Sequence, residues 1–199
     1  MRRGARILAP TAVLALGLAL TGCASSDGLA GQYSDGSGGY VSSDRRVVEI
    51  PASERGESVS FAGVTERGEP VSSDDYAGRV YVVNFWYAAC GPCIVEAPLL
   101  EEVWQEFQDQ EFGFLGINIY DQPATAVSFA DDNSITYPSV IDVNDGRVKL
   151  AFAAVTPIQA TPTTLVLDRQ GRVAARIIGQ LQSASILSTL VSDALAEAP

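Results

Sequence analysis

Asn84-Phe85-Trp86-Tyr87-Ala88-Ala89-Cys90-Gly91-Pro92-Cys93 is the stretch that decides how this chain folds. It completes an apolar run that begins at Val80 (Val-Tyr-Val-Val-Asn-Phe), the pattern of a strand buried on both faces. A short loop follows, and the first cysteine stands where a helix should open. There, free backbone N–H groups and the helix dipole favour negative charge on sulfur, which lowers the thiol pKa toward neutrality. Two intervening residues place Cys93 about one helical turn on, near enough to resolve a mixed disulfide formed by Cys90. Pro92 suits a first helical turn, where its missing N–H costs nothing.

Three other uses compete for such a pair. A purely structural disulfide would close a four-residue loop, worth roughly 2 kcal/mol in the chain-entropy model against about 4.7 for a 100-residue loop. A zinc site would need further Cys or His ligands. The chain has no histidine, and its third cysteine, Cys23, lies in a processing signal. Haem attachment would require His after the second cysteine, and position 94 is Ile. The absence of histidine also removes Ser-His-Asp and Cys-His catalysis. A redox dithiol is the reading that remains, with no metal and no cofactor beyond the Cys90–Cys93 pair itself.

Upstream, residues 1–22 have the layout of a secretory signal. Arg2, Arg3 and Arg6 form a charged start, and Ile7 to Leu20 an apolar stretch of 14 residues. That is short for a membrane-spanning helix, which needs ~20. Leu20-Thr21-Gly22-Cys23 resembles a bacterial lipobox, which implies cleavage before Cys23 and lipid on its sulfur. Two or more acyl chains anchor a protein stably where one does not. Residues 23–45 then hold the lipidated cysteine and a Gly/Ser-rich linker, a coil reaching ~25 Å on average. The folded domain is expected over 46–199, outside the cytoplasm and tied to the bacterial cell membrane. Cleavage leaves 10 basic and 24 acidic residues, a net charge near −14. Such a surface repels phosphate backbones, so nucleic acid is discounted as a partner.

Within the domain, Val59–Val64 and Val71 around the turn 66–69 suggest a β-hairpin, and residues 72–76 one helical turn. Helix is expected from Cys90 to about Gln110, and over 124–132, 145–154 and 183–197. Strands are expected at 80–85, 112–119, 139–141, 163–167 and 173–178. This order predicts an α/β fold: a mixed central sheet with helices on both faces, an N-terminal β-hairpin and an α/β insertion at about 112–150.

Cys-Gly-Pro-Cys after Asn-Phe-Trp, a later Thr-Pro before an apolar strand, and that insertion together resemble the thioredoxin superfamily. The likeness is strongest to the extracytoplasmic disulfide reductases of the TlpA/ResA type and covers roughly Val47 to Glu197. It implies a thioredoxin fold with Cys90 as the exposed nucleophile and Cys93 as the more buried resolving thiol. Thr161-Pro162 matches the cis-proline loop, where an extended substrate segment pairs with backbone. Trp86, Gly91 and Pro92 would border the substrate. Glu96 matches a glutamate of this subgroup that exchanges protons with the resolving cysteine. Asn84 stands where cytoplasmic thioredoxins carry a buried acid. Pro98 should kink its helix.

The resemblance also implies partners. These are protein thiols and disulfides, apocytochrome c among them, with a membrane electron donor of the DsbD/CcdA kind and a chain working as a monomer. Two positions depart from the family pattern. Ala89 replaces a tryptophan that usually precedes the first cysteine, and residues 156–160 before Thr161 form a longer segment than usual. Two rival functions fit the residues less well. A peroxiredoxin-type thiol peroxidase needs Pro and Thr where this chain has Val83 and Tyr87. A metal-handling lipoprotein of the Sco type needs a distal histidine.

Overall fold

In a computed structural model, residues 41–44 and 46–197 are described. The expected signal, Cys23 and nearly all of the linker lie outside the described residues. Among those described, no helix is long and apolar enough to cross a membrane.

The apolar run around Asn84 becomes β4 (Val80–Trp86), buried along its whole length. Burial on both faces follows from its place in the sheet. On one side it pairs in parallel with β5 (Phe112–Asn118), and on the other antiparallel with β7 (Thr163–Leu167). β6 (Ser139–Ile141) lies parallel beyond β5. β8 (Val173–Ile178) lies antiparallel to β7, and β1 (Val47–Glu49) closes the edge against β8. The order is β1-β8-β7-β4-β5-β6. The expected hairpin is a separate pair, β2 (Ala62–Val64) and β3 (Pro70–Ser72), tied to β6 by a bridge from Thr65 to Val140.

Four helices cover the sheet: α1 (Gly91–Phe107), α2 (Pro123–Asp132), α3 (Arg147–Ala153) and α4 (Ala184–Ala196). Alternation along β4 sorts them. Val80 and Val82 face Leu100, Val103 and Phe107 of α1 and Leu187 and Val191 of α4. Tyr81, Val83 and Phe85 point the other way, into a second core with Phe152 of α3 and Phe61. Each fully buried Leu or Phe adds roughly 1.5–3 kcal/mol of transfer free energy.

The elements depart from the sequence reading in three places. The hairpin strand is shorter than Val59–Val64, because Val59 and Phe61 turn into the second core instead of extending the ladder. α1 starts after Cys90, which caps it, and ends at Phe107, three residues early. β1 had no counterpart in the sequence reading. α1 runs through Pro98 as one 17-residue helix.

Candidate active site

β4 delivers the chain to the site. After Trp86 the backbone leaves the sheet, turns with Cys90 N–H donating to Tyr87 O (3.1 Å), and enters α1. Cys90 is the N-cap. Its backbone is extended (φ −79°, ψ 105°), and its sulfur accepts the Cys93 N–H at 3.2 Å. A helix N-terminus thus points an N–H at this sulfur, as the sequence reading required. Cys90 and Cys93 form a disulfide with Cα atoms 5.2 Å apart. Gly91 and Pro92 between them are exposed. A Cβ built on Gly91 meets no atom within 4 Å, so open space and not a steric demand surrounds this glycine.

The expected contrast between an exposed Cys90 and a buried Cys93 is absent in this oxidised state: both residues are 3% exposed. Bonded, each sulfur covers the other, and Trp86 and Ala126 pack beneath them. Approach is left to the rim formed by exposed Ala89, Gly91 and Pro92.

Trp86 is 6% exposed. Its indole N–H donates to Ser139 Oγ (3.1 Å), and its ring lies 4.5 Å from that of Phe129 in α2. With its polar atom used inward and its ring covered, Trp86 supports the disulfide from below. Little of it is left to border substrate, the role expected from the resemblance.

Glu96, one turn after Cys93 on α1, is 0% exposed. Its Oε1 accepts from Asn84 Nδ2 (2.9 Å) and its Oε2 from Leu181 N–H (2.8 Å). Asn84 Nδ2 also donates to Thr164 Oγ1 at 3.0 Å. Burial pushes the carboxyl pKa up to about 7, while the two donated hydrogen bonds pull it down less strongly. A solvated surface glutamate is therefore excluded. Asn84 and Cys93 also border a small cavity of about 10 Å³, at the lower limit for one water.

The Thr161–Pro162 peptide bond is cis. Thr163 pairs with Phe85, so Pro162 lies at the same end of the sheet as Trp86 and the loop to Cys90. Pro162 O accepts from Gly179 N–H at 2.8 Å. Sequence reasoning missed Arg46, which holds this corner from behind. Its Nε donates to Ile178 O (3.2 Å) and its Nη2 to Gln180 O (3.1 Å). It thereby braces the segment that gives Glu96 its Leu181 N–H. Nothing in the residues around Arg46 signals this, because its partners lie 132 and 134 positions away. The loop Asn118–Asp121 was missed as well, although Asn-x-x-Asp before Gln-Pro is a readable turn signal. Among the described residues no group of three or more His, Cys, Asp or Glu could hold a metal ion.

Known proteins are similar to this chain in sequence and in fold. A thiol-disulfide oxidoreductase ResA of Geobacillus thermodenitrificans is 33% identical over 118 residues, 59% of this chain and 65% of that protein. The chain thus spans just under two thirds of the curated relatives it matches first. A DsbF homologue from Corynebacterium diphtheriae superposes with a TM-score of 0.67 at 30% identity, over 77% of this chain and 96% of its own. A secreted thiol-disulfide isomerase from Corynebacterium glutamicum also gives 0.67, at 27% identity, covering 78% and 99%. The fold is accordingly that of thioredoxin, as the motif implied. The AhpC/TSA family model matches residues 56–176, a span that takes in both cysteines, Glu96 and the cis-proline. With more than half of its length under that match, the chain belongs to the AhpC/TSA family.

Proposed function

We propose that the protein is an extracytoplasmic thiol–disulfide oxidoreductase, anchored by lipid on Cys23, that reduces protein disulfides through Cys90 and Cys93. One observation carries the reading: a Cys-Gly-Pro-Cys disulfide caps a helix, and a buried carboxyl with a pKa near neutrality sits one turn further on. The names of the relatives above support it.

In the reduced protein, the Cys90 thiolate attacks one sulfur of a substrate disulfide. The substrate S–S bond breaks, a substrate thiolate leaves, and a mixed disulfide with Cys90 forms. Cys93 then loses its proton to Glu96, which at about 7 can take and return it near neutral pH. The Cys93 thiolate attacks Cys90 Sγ, closes the Cys90–Cys93 bond and expels the second substrate thiolate. Two electrons reach the substrate, and two protons complete its thiols. A donor dithiol of the DsbD/CcdA kind restores the reduced pair. Backbone beside Pro162 pairs with the extended substrate, with apocytochrome c one such substrate. Reduction is favoured by the Gly-Pro dipeptide, shared with thioredoxins near −270 mV.

The family match also raises peroxide reduction. Val83 is buried in β4, and the Tyr87 ring lies 5.5 Å from that of Tyr120, so neither position offers the proline or threonine of a peroxidatic site.

The decisive experiment expresses the full chain as Cys93→Ser and analyses the membrane fraction on non-reducing gels. Mixed disulfides through Cys90 should accumulate there and vanish with dithiothreitol. A variant that traps no partner, or traps only through Cys23, would reject the assignment.

A further inference from the structure

β4 and β5 run parallel, with Trp86 beside Asn118, so the loops that follow them leave the sheet side by side. One leads to Cys90 and the other to α2, and contacts fasten them together. Asn118 is fully buried, and its Oδ1 accepts the N–H groups of Tyr120 (3.1 Å) and Asp121 (2.7 Å). This Asx-type turn swings Asp121 back toward β4. Asp121 Oδ2 then accepts from Asn118 Nδ2 (2.9 Å) and from the backbone N–H of Ala88 (2.6 Å). Ile119 N–H donates to Trp86 O at 3.1 Å. The Tyr87 and Tyr120 rings meet 5.5 Å apart, with Tyr120 70% exposed.

Ala88 lies two residues before Cys90, inside the turn closed by Cys90 N–H and Tyr87 O. Asp121 therefore grips the backbone that aims the nucleophile. A neutral acceptor would grip as well. The carboxylate adds a negative charge near Cys90: the gripped Ala88 N–H belongs to a residue only two Cα steps, at most about 7.6 Å, from the Cα of the nucleophile. That charge opposes the helix N-terminus, which favours the thiolate.

We propose that Asp121 is a positioning residue for Cys90: its hydrogen bond to Ala88 holds the nucleophile's loop, and its charge restrains ionisation of the thiol. The inference rests on the oxidoreductase reading and names a determinant of how strongly that site reduces. Restraining the thiolate withholds stability from the reduced form, which keeps the pair a reductant. Among the described residues, the other titratable groups near this end of α1 are Cys93 itself, Glu96 beneath the pair and the phenols of Tyr87 and Tyr120.

The test follows iodoacetamide labelling of Cys90 against pH in the reduced full-length chain, with the Cys90 peptide quantified by mass spectrometry. Asp121→Asn keeps an acceptor for Ala88 and removes the charge. Its labelling midpoint should fall by about 0.3 to 1.2 units, the range for a unit charge taken at about 10 Å with effective dielectric constants between those of water and a protein surface. Asp121→Ala should lower the midpoint likewise, and it should also slow mixed-disulfide formation with a protein substrate, because the loop is released. If Asp121→Asn keeps the parent midpoint, the electrostatic half is overturned. If Asp121→Ala reacts with protein disulfides at the parent rate, the positioning half is overturned. A reduced parent chain that forms no mixed disulfide with any oxidised protein would overturn the oxidoreductase reading itself, a result distinguishable from either outcome at Asp121.

Discussion

Glu96 is an ionisable group held where ionisation is costly. Its folded pKa of about 7 stands above the ordinary 4.5 because burial disfavours the carboxylate. The sign of the linkage follows directly. Below pH 4.5 the carboxyl is protonated folded or unfolded, and its burial costs nothing through ionisation. Between 4.5 and about 7 the unfolded chain releases the proton and the folded one keeps it, so stability falls as pH rises. Above about 7 the cost is complete, on the order of 3 kcal/mol. Glu96→Gln in the oxidised protein should remove this slope. Urea denaturation at pH 5 and pH 8 should show the parent losing most of that amount between the two, and the variant losing little. An equal loss in both would mean that Glu96 is solvated. The sequence places Glu96 one turn after Cys93 but does not reveal its burial. That depends on Leu181, 85 residues on, and on Arg46 bracing the segment that carries it.

At the scale of elements, the strands were legible where composition and context agree. β6, β7 and β8 match their expected bounds, because β-branched runs end at turn residues such as Asp168-Arg169-Gln170-Gly171. β1 was not legible. Val47–Glu49 is too short to show alternation, and it becomes a strand only because β8 offers an open edge 126 or more residues later. The close approach of β5 to Trp86 was equally hidden. A Cβ at Gly116 would stand 2.1 Å from Ser139 Oγ and 2.8 Å from Trp86 Nε1, inside the hydrogen bond that supports the disulfide. Gly116→Ala should therefore destabilise the fold by about 1–3 kcal/mol, the usual cost of overpacking. Near-UV circular dichroism should report a changed Trp86 environment. Unchanged stability with a native tryptophan signal would show that Ser139 yields freely. Gly91, surrounded by open space, should accept alanine with little loss of stability.

At the scale of the molecule, a buried ion cluster locks the end of the sheet opposite the site. Arg55 and Asp168 are each 2% exposed at the side chain and meet at 3.0 Å. Arg172 reaches the same carboxylate at 2.8 Å, and Arg55 also bonds Glu197. Burial acts to raise the pKa of Asp168, but hydrogen bonds from Arg172 N–H and both guanidinium groups outweigh it and hold the carboxyl below 3.8. Its contribution to stability is therefore full above 3.8 and is lost as pH falls through the lowered value. Asp168→Asn removes the carboxylate that Arg55 and Arg172 share, leaves the buried Arg55 guanidinium with Glu197 as its carboxylate partner, and should cost about 3 kcal/mol at neutral pH. The melting temperature measures it, and the variant should retain less acid sensitivity than the parent. No pattern near Arg55 foretells this cluster, which joins residues 113 and 142 positions apart.

Strand direction has a further consequence. Pro162, Gly179 and the loops after Trp86 and Asn118 all sit at one pole of the sheet, and every one of them is interior to the chain. Glu197, by contrast, is fastened to Arg55 at the other pole. A support, fusion partner or affinity handle joined beyond Glu197 would leave the disulfide facing outward and unobstructed.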